Sequence, residues 1–164
     1  MNEKNQEGAV NALLAEYEKA IIELQNVIED ISILDLTAIV DNLTNNPDCR
    51  SIQTILTHVV SSGYSYCIYI RELKDTIEKR PEKGDRLSIA EYKKDLGEVL
   101  KFTRDTFANI QDDELEEFDN AKKIKTSWGQ FYDIEQIMEH AIVHILRHRR
   151  QIERFKTILN RASE

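Results

Sequence analysis

The stretch that decides the fold is IEQIMEHAIVHILRHRRQIERFKTIL, residues 134–159. One row of side chains recurs in it at alternating steps of four and three residues, and all but one of them are apolar. The row consists of Ile134, Met138, Ala141, Ile145, His148, Ile152, Phe155 and Leu159. A period near 3.5 is typical of a helix that buries one face against other helices. The pattern therefore predicts a long helix that begins near Asp133 and carries a histidine on its buried face.

Three earlier segments are also predicted to be helices. The second segment follows Ser51 or Asp48, either of which could cap it, and the third begins at Ser88, which forms a capping box with Glu91. The apolar rows of the three segments are Val10, Leu14, Tyr17, Ile21, Leu24, Ile28 and Ile31; then Ile52, Leu56, Val59, Gly63, Tyr66, Ile70, Leu73 and Ile77; then, more weakly, Ile89, Leu96, Leu100, Thr103, Phe107 and Ile110. Four amphipathic helices of this length are typical of a four-helix bundle.

The connections between these helices differ in composition. Residues 32–50 are too apolar for a solvated loop, so we expect a short extra helix packed on the bundle, whereas residues 80–86 (RPEKGDR) form a polar turn. Residues 111–132 begin acidic and end in an extended stretch whose Trp128 is expected to pack rather than to serve as a ligand platform. We therefore expect an all-α fold, a single four-helix-bundle domain spanning residues 1–164 with long first and third connections. A long coiled coil is the structural alternative, but the interrupted register disfavours it.

Composition excludes several classes of protein. The chain has 22 basic and 30 acidic residues and a net charge of −8, which disfavours nucleic-acid binding because phosphate contacts need clustered Lys and Arg. Cys49 and Cys67 make no disulfide framework and fit a reducing compartment, with Cys67 expected as a small buried hydrophobe. Residues 1–10 lack the features of a signal peptide, and no apolar run approaches the roughly 18 residues of a membrane span. We expect a cytoplasmic protein without a membrane or nucleic-acid partner.

The histidines carry the chemistry. The chain has four, and three of them, His140, His144 and His148, are spaced four residues apart on the predicted last helix. Residues at that spacing share one helix face, so two imidazoles can hold one metal ion. His58 flanks the apolar row of the second helix, so His58, His144 and His148 can all point into the bundle. A divalent metal held by these three would keep a coordination position open. The alternatives are a surface pair that binds nothing and core histidines hydrogen-bonded to carbonyl or carboxylate groups.

Charged residues on and near the last helix have two interpretations each. Residues 141–164 are basic, which indicates either a solvated or salt-bridged face, or an anion site near the metal with Arg147 and Arg149 as the nearest candidates. Asp133 and Glu139 could orient the histidines, but acids are also favoured in the first turns of a helix by its dipole, and we favour the second interpretation.

Two motifs resemble a known family. They are SIQTILTHVV, residues 51–60, and MEHAIVHILRHRRQI, residues 138–152. Together they resemble the DinB/YfiT-like superfamily of damage-inducible bacterial proteins, whose members share a histidine on the second helix and an HxxxH-R-G-Q-[IV] ending on the last. His58 matches the first histidine, and His144 and His148 match the pair.

The rest of the second motif also follows the family, with one departure. Arg149, Gln151 and Ile152 match, and His140 matches a histidine that many members carry one turn earlier. Arg150 stands where the family has glycine, which removes no ligand but alters how closely another helix or subunit can approach. The resemblance extends over nearly the whole chain in helix order.

The resemblance implies a four-helix bundle that holds zinc, nickel or iron through His58, His144 and His148. Some relatives are thiol-dependent transferases that use bacillithiol, mycothiol or glutathione, some are thiol-dependent isomerases, and others are interpreted as metal-dependent hydrolases. We therefore expect a metal-dependent enzyme, a thiol S-transferase or a hydrolase acting on a small molecule. The alternative is a non-catalytic metal-binding or stress-associated protein. A low-molecular-weight thiol is a possible cofactor, with Arg147 and Arg149 binding its anionic groups, and a homodimer is a possible assembly.

Overall fold

The structure is a computed structural model and describes residues 8–162. It is mostly helical, so the predicted all-α class is confirmed, and the four long helices lie where the apolar rows place them. The prediction about a signal peptide concerns mainly residues 1–7, which lie outside the described residues. The elements in chain order are α1 (Ala9–Val27), α2 (Ile33–Thr37), a 3₁₀ turn (Pro47–Cys49), α3 (Ile52–Glu72), α4 (Ile89–Phe107), a second 3₁₀ turn (Asp112–Glu114), β1 (Ile124–Lys125), β2 (Phe131–Tyr132) and α5 (Ile134–Ala162).

The long helices contact one another in a closed ring. Helix α1 packs against α4 and α5, and α3 packs against the same two helices. The core between them contains the predicted apolar rows, including fully buried Leu24, Leu56, Leu96 and Ile152. This arrangement fixes α3 beside α5, the two helices that carry all four histidines. None of the described helices has the length and apolarity needed to cross a bilayer.

Helix starts follow the predicted caps. The Ser51 hydroxyl accepts a hydrogen bond from the Thr54 backbone N–H, and the Thr54 side chain accepts one from the Ser51 N–H in return. Helix α5 begins after Asp133, whose carboxylate accepts a hydrogen bond from the Gln136 N–H at 2.8 Å. Asp133 is therefore a helix cap, as its position in the first turn indicates. Glu139, the other acidic residue considered near the start of α5, is exposed.

The end of α3 differs from the prediction. The apolar row extends to Ile77, but the helix ends at Glu72 and Ile77 is 92% exposed. Asp75 adopts a φ of 57°, and the N–H groups of Asp75 and Thr76 bond back to carbonyl groups of the last helical turn. This left-handed residue closes the helix in a Schellman motif, a position that is usually glycine. An aspartate at this position does not signal a helix end in the sequence. The periodic pattern alone therefore predicted a helix that is too long.

The first connection contains the expected short helix, but little of it is buried. Helix α2 packs on α3 and buries Leu36. Val40 is partly buried and packs against the core, whereas Ile33, Leu34, Ile39 and Leu43 are exposed. The expected short packed helix is therefore present, but α2 itself buries only Leu36 because it is a single turn.

The third connection contains the expected extended stretch. Strands β1 and β2 pair antiparallel, with Ile124 opposite Tyr132. The turn between them carries Trp128 and Gly129, and Gly129 adopts a φ of 89° that favours glycine. The Tyr69 hydroxyl on α3 accepts a hydrogen bond from the Ser127 N–H at 3.0 Å, which holds the turn against α3.

Gly63 lies where α3 packs most tightly, and its replacement by valine is expected to destabilise the fold. A Cβ at this position would lie 2.5 Å from Val99 Cγ1 and 3.1 Å from the Tyr17 hydroxyl. Overpacking of this kind costs about 1–3 kcal/mol. Urea unfolding of Gly63→Val should show that loss. The matched control is Gly97→Val on α4, where nothing lies within 4 Å of the added Cβ, and its free energy of unfolding should stay within about 0.5 kcal/mol of the parent. Equal stability of the two variants would contradict the prediction.

Candidate metal centre

Three of the four histidines meet between α3 and α5. His58 extends from α3, and His144 and His148 extend from successive turns of α5. The Nε2 atom of His144 lies 2.9 Å from Nε2 of His58 and 3.2 Å from Nε2 of His148. All three candidate ligand atoms lie within 4.8 Å of one another, and His148 is buried. The structure thus brings together the three residues that the sequence nominated.

In two of these rings, the nitrogen on the side away from the cluster contacts an oxygen atom of another side chain. Asp48 Oδ2 lies 3.3 Å from His58 Nδ1, and Gln151 Oε1 lies 3.1 Å from His148 Nδ1. Because a carboxylate only accepts hydrogen bonds, and the Gln151 contact is through its carbonyl oxygen, each Nδ1 carries the proton. The Nε2 atoms of His58 and His148 are then unprotonated hydrogen-bond acceptors, and both face His144.

A cation satisfies this arrangement better than hydrogen bonds do. One N–H on His144 Nε2 would have to serve two acceptors, since His58 and His148 have no proton to offer on that side. A divalent ion at the centre can accept a lone pair from all three nitrogens. Zinc at about 2.0–2.1 Å from each nitrogen of a tetrahedral site would separate the nitrogens by roughly 3.3 Å. The distances of 2.9 and 3.2 Å are close to that separation.

Burial keeps these imidazoles neutral. Desolvation lowers the pKa of His144 to about 2, with the neighbouring histidines adding to the effect, and lowers the pKa of His148 to about 4. The pKa of His58 is also lowered by burial, although Asp48 opposes the shift. Metal binding requires neutral histidine, so no proton has to be displaced from these rings at neutral pH. Three neutral nitrogen ligands suit zinc, nickel or iron.

Asp48 is the functional residue that the sequence analysis missed. It was considered only as a cap for α3, a role that Ser51 fills. The 3₁₀ turn Pro47–Cys49 instead presents its carboxylate to His58, while the other oxygen pairs with Lys83 Nζ at 2.5 Å. No local pattern in the sequence signals this contact, because Asp48 and His58 lie in different elements.

The two candidate anion-binding arginines lie in different environments. Arg147 is exposed and close enough that its charge lowers the pKa of His58, His144 and His148. Arg149 points to α1, where it pairs with Glu23. Arg147 therefore lies beside the histidine cluster, whereas the structure gives Arg149 an acidic partner on another helix.

Aromatic rings extend from the histidine cluster toward the β1–β2 turn. The Trp128 ring stacks on His140 with centroids 5.1 Å apart, and His140 stacks on His144 at 6.2 Å. Tyr66, expected as a packing residue, is 5% exposed and contacts both His140 and His144 edge-on. Trp128, expected to pack, contacts the rings of Tyr66, Tyr69, Tyr132 and His140 and remains 43% exposed. The β1–β2 turn is held against α3, which packs on α5. The Trp128 indole therefore covers His140 on α5.

The prediction that Cys67 is a small buried residue is confirmed. Cys67 is 1% exposed and its sulfur lies 3.3 Å from the Thr103 hydroxyl. Burial raises the pKa of the Cys67 thiol to about 11. A thiol with so high a pKa in an apolar setting is a packing residue rather than a nucleophile or ligand.

Comparison with known proteins adds nothing to this geometry: no family model, no curated protein and no solved structure matches the chain.

Proposed function

We propose that the chain is a metal-dependent enzyme of the DinB/YfiT-like type, a four-helix bundle whose single domain spans residues 1–164. In this proposal His58, His144 and His148 hold one divalent ion, zinc, nickel or iron. The activity is transfer of a low-molecular-weight thiol to an electrophile. The observation that carries the proposal is the convergence of three Nε2 atoms whose rings are held from behind by Asp48 and Gln151.

Packing of the helices supports the bundle. The ring of contacts among α1, α3, α4 and α5 leaves one shared core, and metal sites in bundles are built from side chains on facing helices. Hydrogen bonds from Nδ1 to an oxygen acceptor fix the tautomer and orientation of a metal-binding histidine. His58 and His148 both have such an acceptor.

Three ligands from the protein leave room for a fourth from a substrate. A divalent ion bound there would favour the thiolate form of a coordinated thiol, the nucleophilic form of sulfur. The protein's own contribution is to orient the three imidazoles, to exclude water from the α3 side through buried Tyr66, and to place a positive charge nearby through Arg147.

The charges near the cluster favour an anionic thiol over hydrolysis. Arg147 is exposed and in no ion pair within residues 8–162, and it lies near all three histidines, so its guanidinium is available to a carboxylated cofactor. A hydrolase could use hydroxide formed from water on a divalent ion held by the same three ligands, so the preference for a thiol rests on Arg147 and not on the ligands. The carboxylate that contacts the cluster, Asp48, is already engaged by His58 and Lys83.

Cobalt substitution tests the proposal. On addition of bacillithiol, mycothiol, glutathione or coenzyme A to the cobalt-loaded protein, a sulfur-to-metal charge-transfer absorption should appear for at least one thiol. It should be absent in His148→Ala, and turnover of an epoxide or haloaromatic electrophile should fall with it. Arg147→Gln should keep the metal but bind the thiol less tightly.

Two outcomes would overturn the transferase assignment. If none of the four thiols changes the spectrum, hydrolysis of an ester or amide becomes the activity to test. If neither reaction is found in a protein that retains its metal, a non-catalytic metal-binding role stands instead.

A further inference from the structure

Helix α3 presents one row of polar side chains to loop 80–86, the polar turn before α4. The members of the row recur every four residues and so share one helix face: Gln53, Thr57, Ser61 and Ser65. The first two bind the loop. Gln53 Nε2 donates a hydrogen bond to the Arg86 carbonyl at 2.9 Å, and Thr57 Oγ1 donates one to Asp85 Oδ1 at 2.7 Å. These bonds fasten the end of the loop to the first turns of α3.

Ser61 is the exception in this row. Its neighbour Ser65 again binds the loop, because the Ser65 hydroxyl accepts a hydrogen bond from Arg80 at 3.0 Å. Ser61 is only 7% exposed, and within residues 8–162 its hydroxyl makes no hydrogen bond, although its carbonyl accepts one from Ser65. Buried hydroxyl groups almost always have a partner. Ser61 therefore indicates a polar molecule, water or a ligand, between α3 and the loop.

A cavity of about 130 Å³ lies at this position, between α3, α4 and loop 80–86. Its polar wall includes the Ser61 hydroxyl, and its apolar wall is formed by Val60, Tyr64 and Pro81. A cavity of about 150 Å³ accommodates benzene, so this one has room for a molecule of about six non-hydrogen atoms or fewer.

The cavity is distinct from the metal centre. Thr57, which lines the cavity, lies on the side of α3 that faces α4, with its hydroxyl 2.6 Å from that of Tyr92. The next residue, His58, faces His144 on α5 instead. A molecule in the cavity and an ion held by the histidines would therefore lie on different sides of α3.

The cations that line the cavity already have partners. The charged side chains of the lining are three carboxylates and two cations: Glu82, Asp95, Glu98, Lys83 and Arg86. Lys83 Nζ lies 2.5 Å from Asp48, and Arg86 Nε lies 2.7 Å from Asp95 Oδ2. Neither cation is left to attract an anion into the cavity.

Glu98, by contrast, is only loosely paired. Its nearest cation, Lys94 Nζ, lies 3.7 Å away, and both side chains are more than half exposed. The carboxylates also act on the cavity wall. The pKa of the Tyr64 hydroxyl is raised, chiefly by desolvation and further by the charges of Glu98 and Asp95. The potential at this wall is therefore negative, which favours a cation.

We propose that the cavity between α3, α4 and loop 80–86 binds a small organic cation, a primary alkylammonium of about six non-hydrogen atoms or fewer. An ammonium group has three N–H donors, and the Ser61 hydroxyl, the Glu98 carboxylate and the second oxygen of Asp95 can accept them. The alkyl chain packs against Val60 and Tyr64. This site is additional to the proposed metal-dependent reaction and does not depend on it.

Other small molecules fit the cavity less well. A carboxylate or phosphate would face Glu98 and Asp95 with like charge, and would have to break an existing ion pair to reach Lys83 or Arg86. A neutral alcohol can bond to Ser61 but leaves the negative potential of the carboxylates unbalanced.

Titration of the full chain, labelled with ¹⁵N and used as purified, with n-butylammonium chloride tests the inference. Alkylamines, like lysine, remain protonated at neutral pH and are then poor metal ligands. The amide resonances of Ser61, Tyr64 and Glu98 should shift in a saturable manner, with a dissociation constant on the order of 1 mM for a ligand of so few atoms. 1-Butanol should bind about threefold more weakly or worse, because it lacks a charge to pair with the carboxylates. Butanoate should not bind.

Two pairs of matched variants locate the site. Ser61→Ala should raise the dissociation constant of butylammonium by at least about threefold, the effect of one hydrogen bond. Ser62→Ala, at the next residue of α3, should leave it unchanged. Glu98→Gln should raise it by a similar factor and reduce the preference over 1-butanol. Asp105→Asn is the control for charge, because Lys101–Asp105 repeats the Lys94–Glu98 pairing elsewhere on α4, and it should bind butylammonium like the parent.

Three results would overturn the inference. If no saturable shift appears at concentrations far above the expected dissociation constant, the cavity holds water only. If butanoate binds as tightly as butylammonium, the site does not select a cation. If Ser62→Ala and Asp105→Asn weaken binding as much as Ser61→Ala and Glu98→Gln, the amine is attracted to the acidic surface in general. Circular dichroism establishes that each variant is folded.

Discussion

Replacement of both His144 and His148 by alanine is expected to reduce the metal content of the purified protein from about one divalent ion per chain to less than a tenth of that. The single remaining ligand, His58, cannot hold a transition ion against buffer and chelators, since tight sites use three or four protein ligands. Elemental analysis after desalting measures the content directly. Titration of the metal-free protein with zinc measures the affinity, which should fall by at least three orders of magnitude, roughly the effect of losing two ligands.

His140→Ala is the control for this experiment. His140 lies one turn before His144 and stacks on it, but its ring is not part of the ligand cluster. Its replacement removes an imidazole from the same helix face and should leave the metal content near that of the parent. Full metal content in His144→Ala/His148→Ala, with circular dichroism unchanged, would show that the three-histidine assignment is wrong.

Replacement of Asp48 by alanine is expected to lower the affinity for the metal by about 10–100-fold, the usual cost of losing a residue that orients a ligand. Asp48 touches no ion itself; it holds His58 through Nδ1 at 3.3 Å. Without Asp48 the His58 ring can rotate, and its Nε2 lone pair then no longer points at the position that the other two nitrogens share. Competition of the apoprotein against a fluorescent zinc indicator measures the affinity.

Two further variants separate orientation from charge and from loop packing. Asp48→Asn keeps an oxygen that accepts from His58 Nδ1–H and should recover part of the lost affinity. Lys83→Met removes the other partner of Asp48 and should change the affinity less than Asp48→Ala does. If Lys83→Met weakens binding as much as Asp48→Ala, the role of Asp48 is to fix the loop rather than the histidine.

The sequence predicted those parts of the molecule that depend on local periodicity. The row ending in His148, Ile152 and Phe155 is buried as expected, and the capping residues Ser51 and Asp133 begin their helices. Convergence of the histidines also followed from spacing, because two lie four residues apart on one helix face.

Features that leave no mark on the periodic pattern were not predictable in this way. The left-handed Asp75 ended α3 early without a glycine to signal it. The contact of Asp48 with His58 depends on how a 3₁₀ turn docks beside α3, and the stacking of Trp128 on His140 depends on a hairpin turn that lies against α3. The last two are tertiary contacts to which no periodic pattern corresponds, whereas the helix end at Asp75 is local but lacks the glycine that usually marks such an end.

The contact between His58 and His144 joins two positions separated by 86 residues along the chain. During synthesis, His58 leaves the ribosome long before His144, and the emerging chain offers only one of the three nitrogens. Even the completed but unfolded chain offers no more than a local pair on a nascent helix, and closing an intervening loop of this length carries a large entropic cost. The full set of three nitrogens forms only once α5 has packed against α3. An ion held by these three nitrogens would therefore be bound late in folding, and unfolded chains would compete poorly for scarce metal.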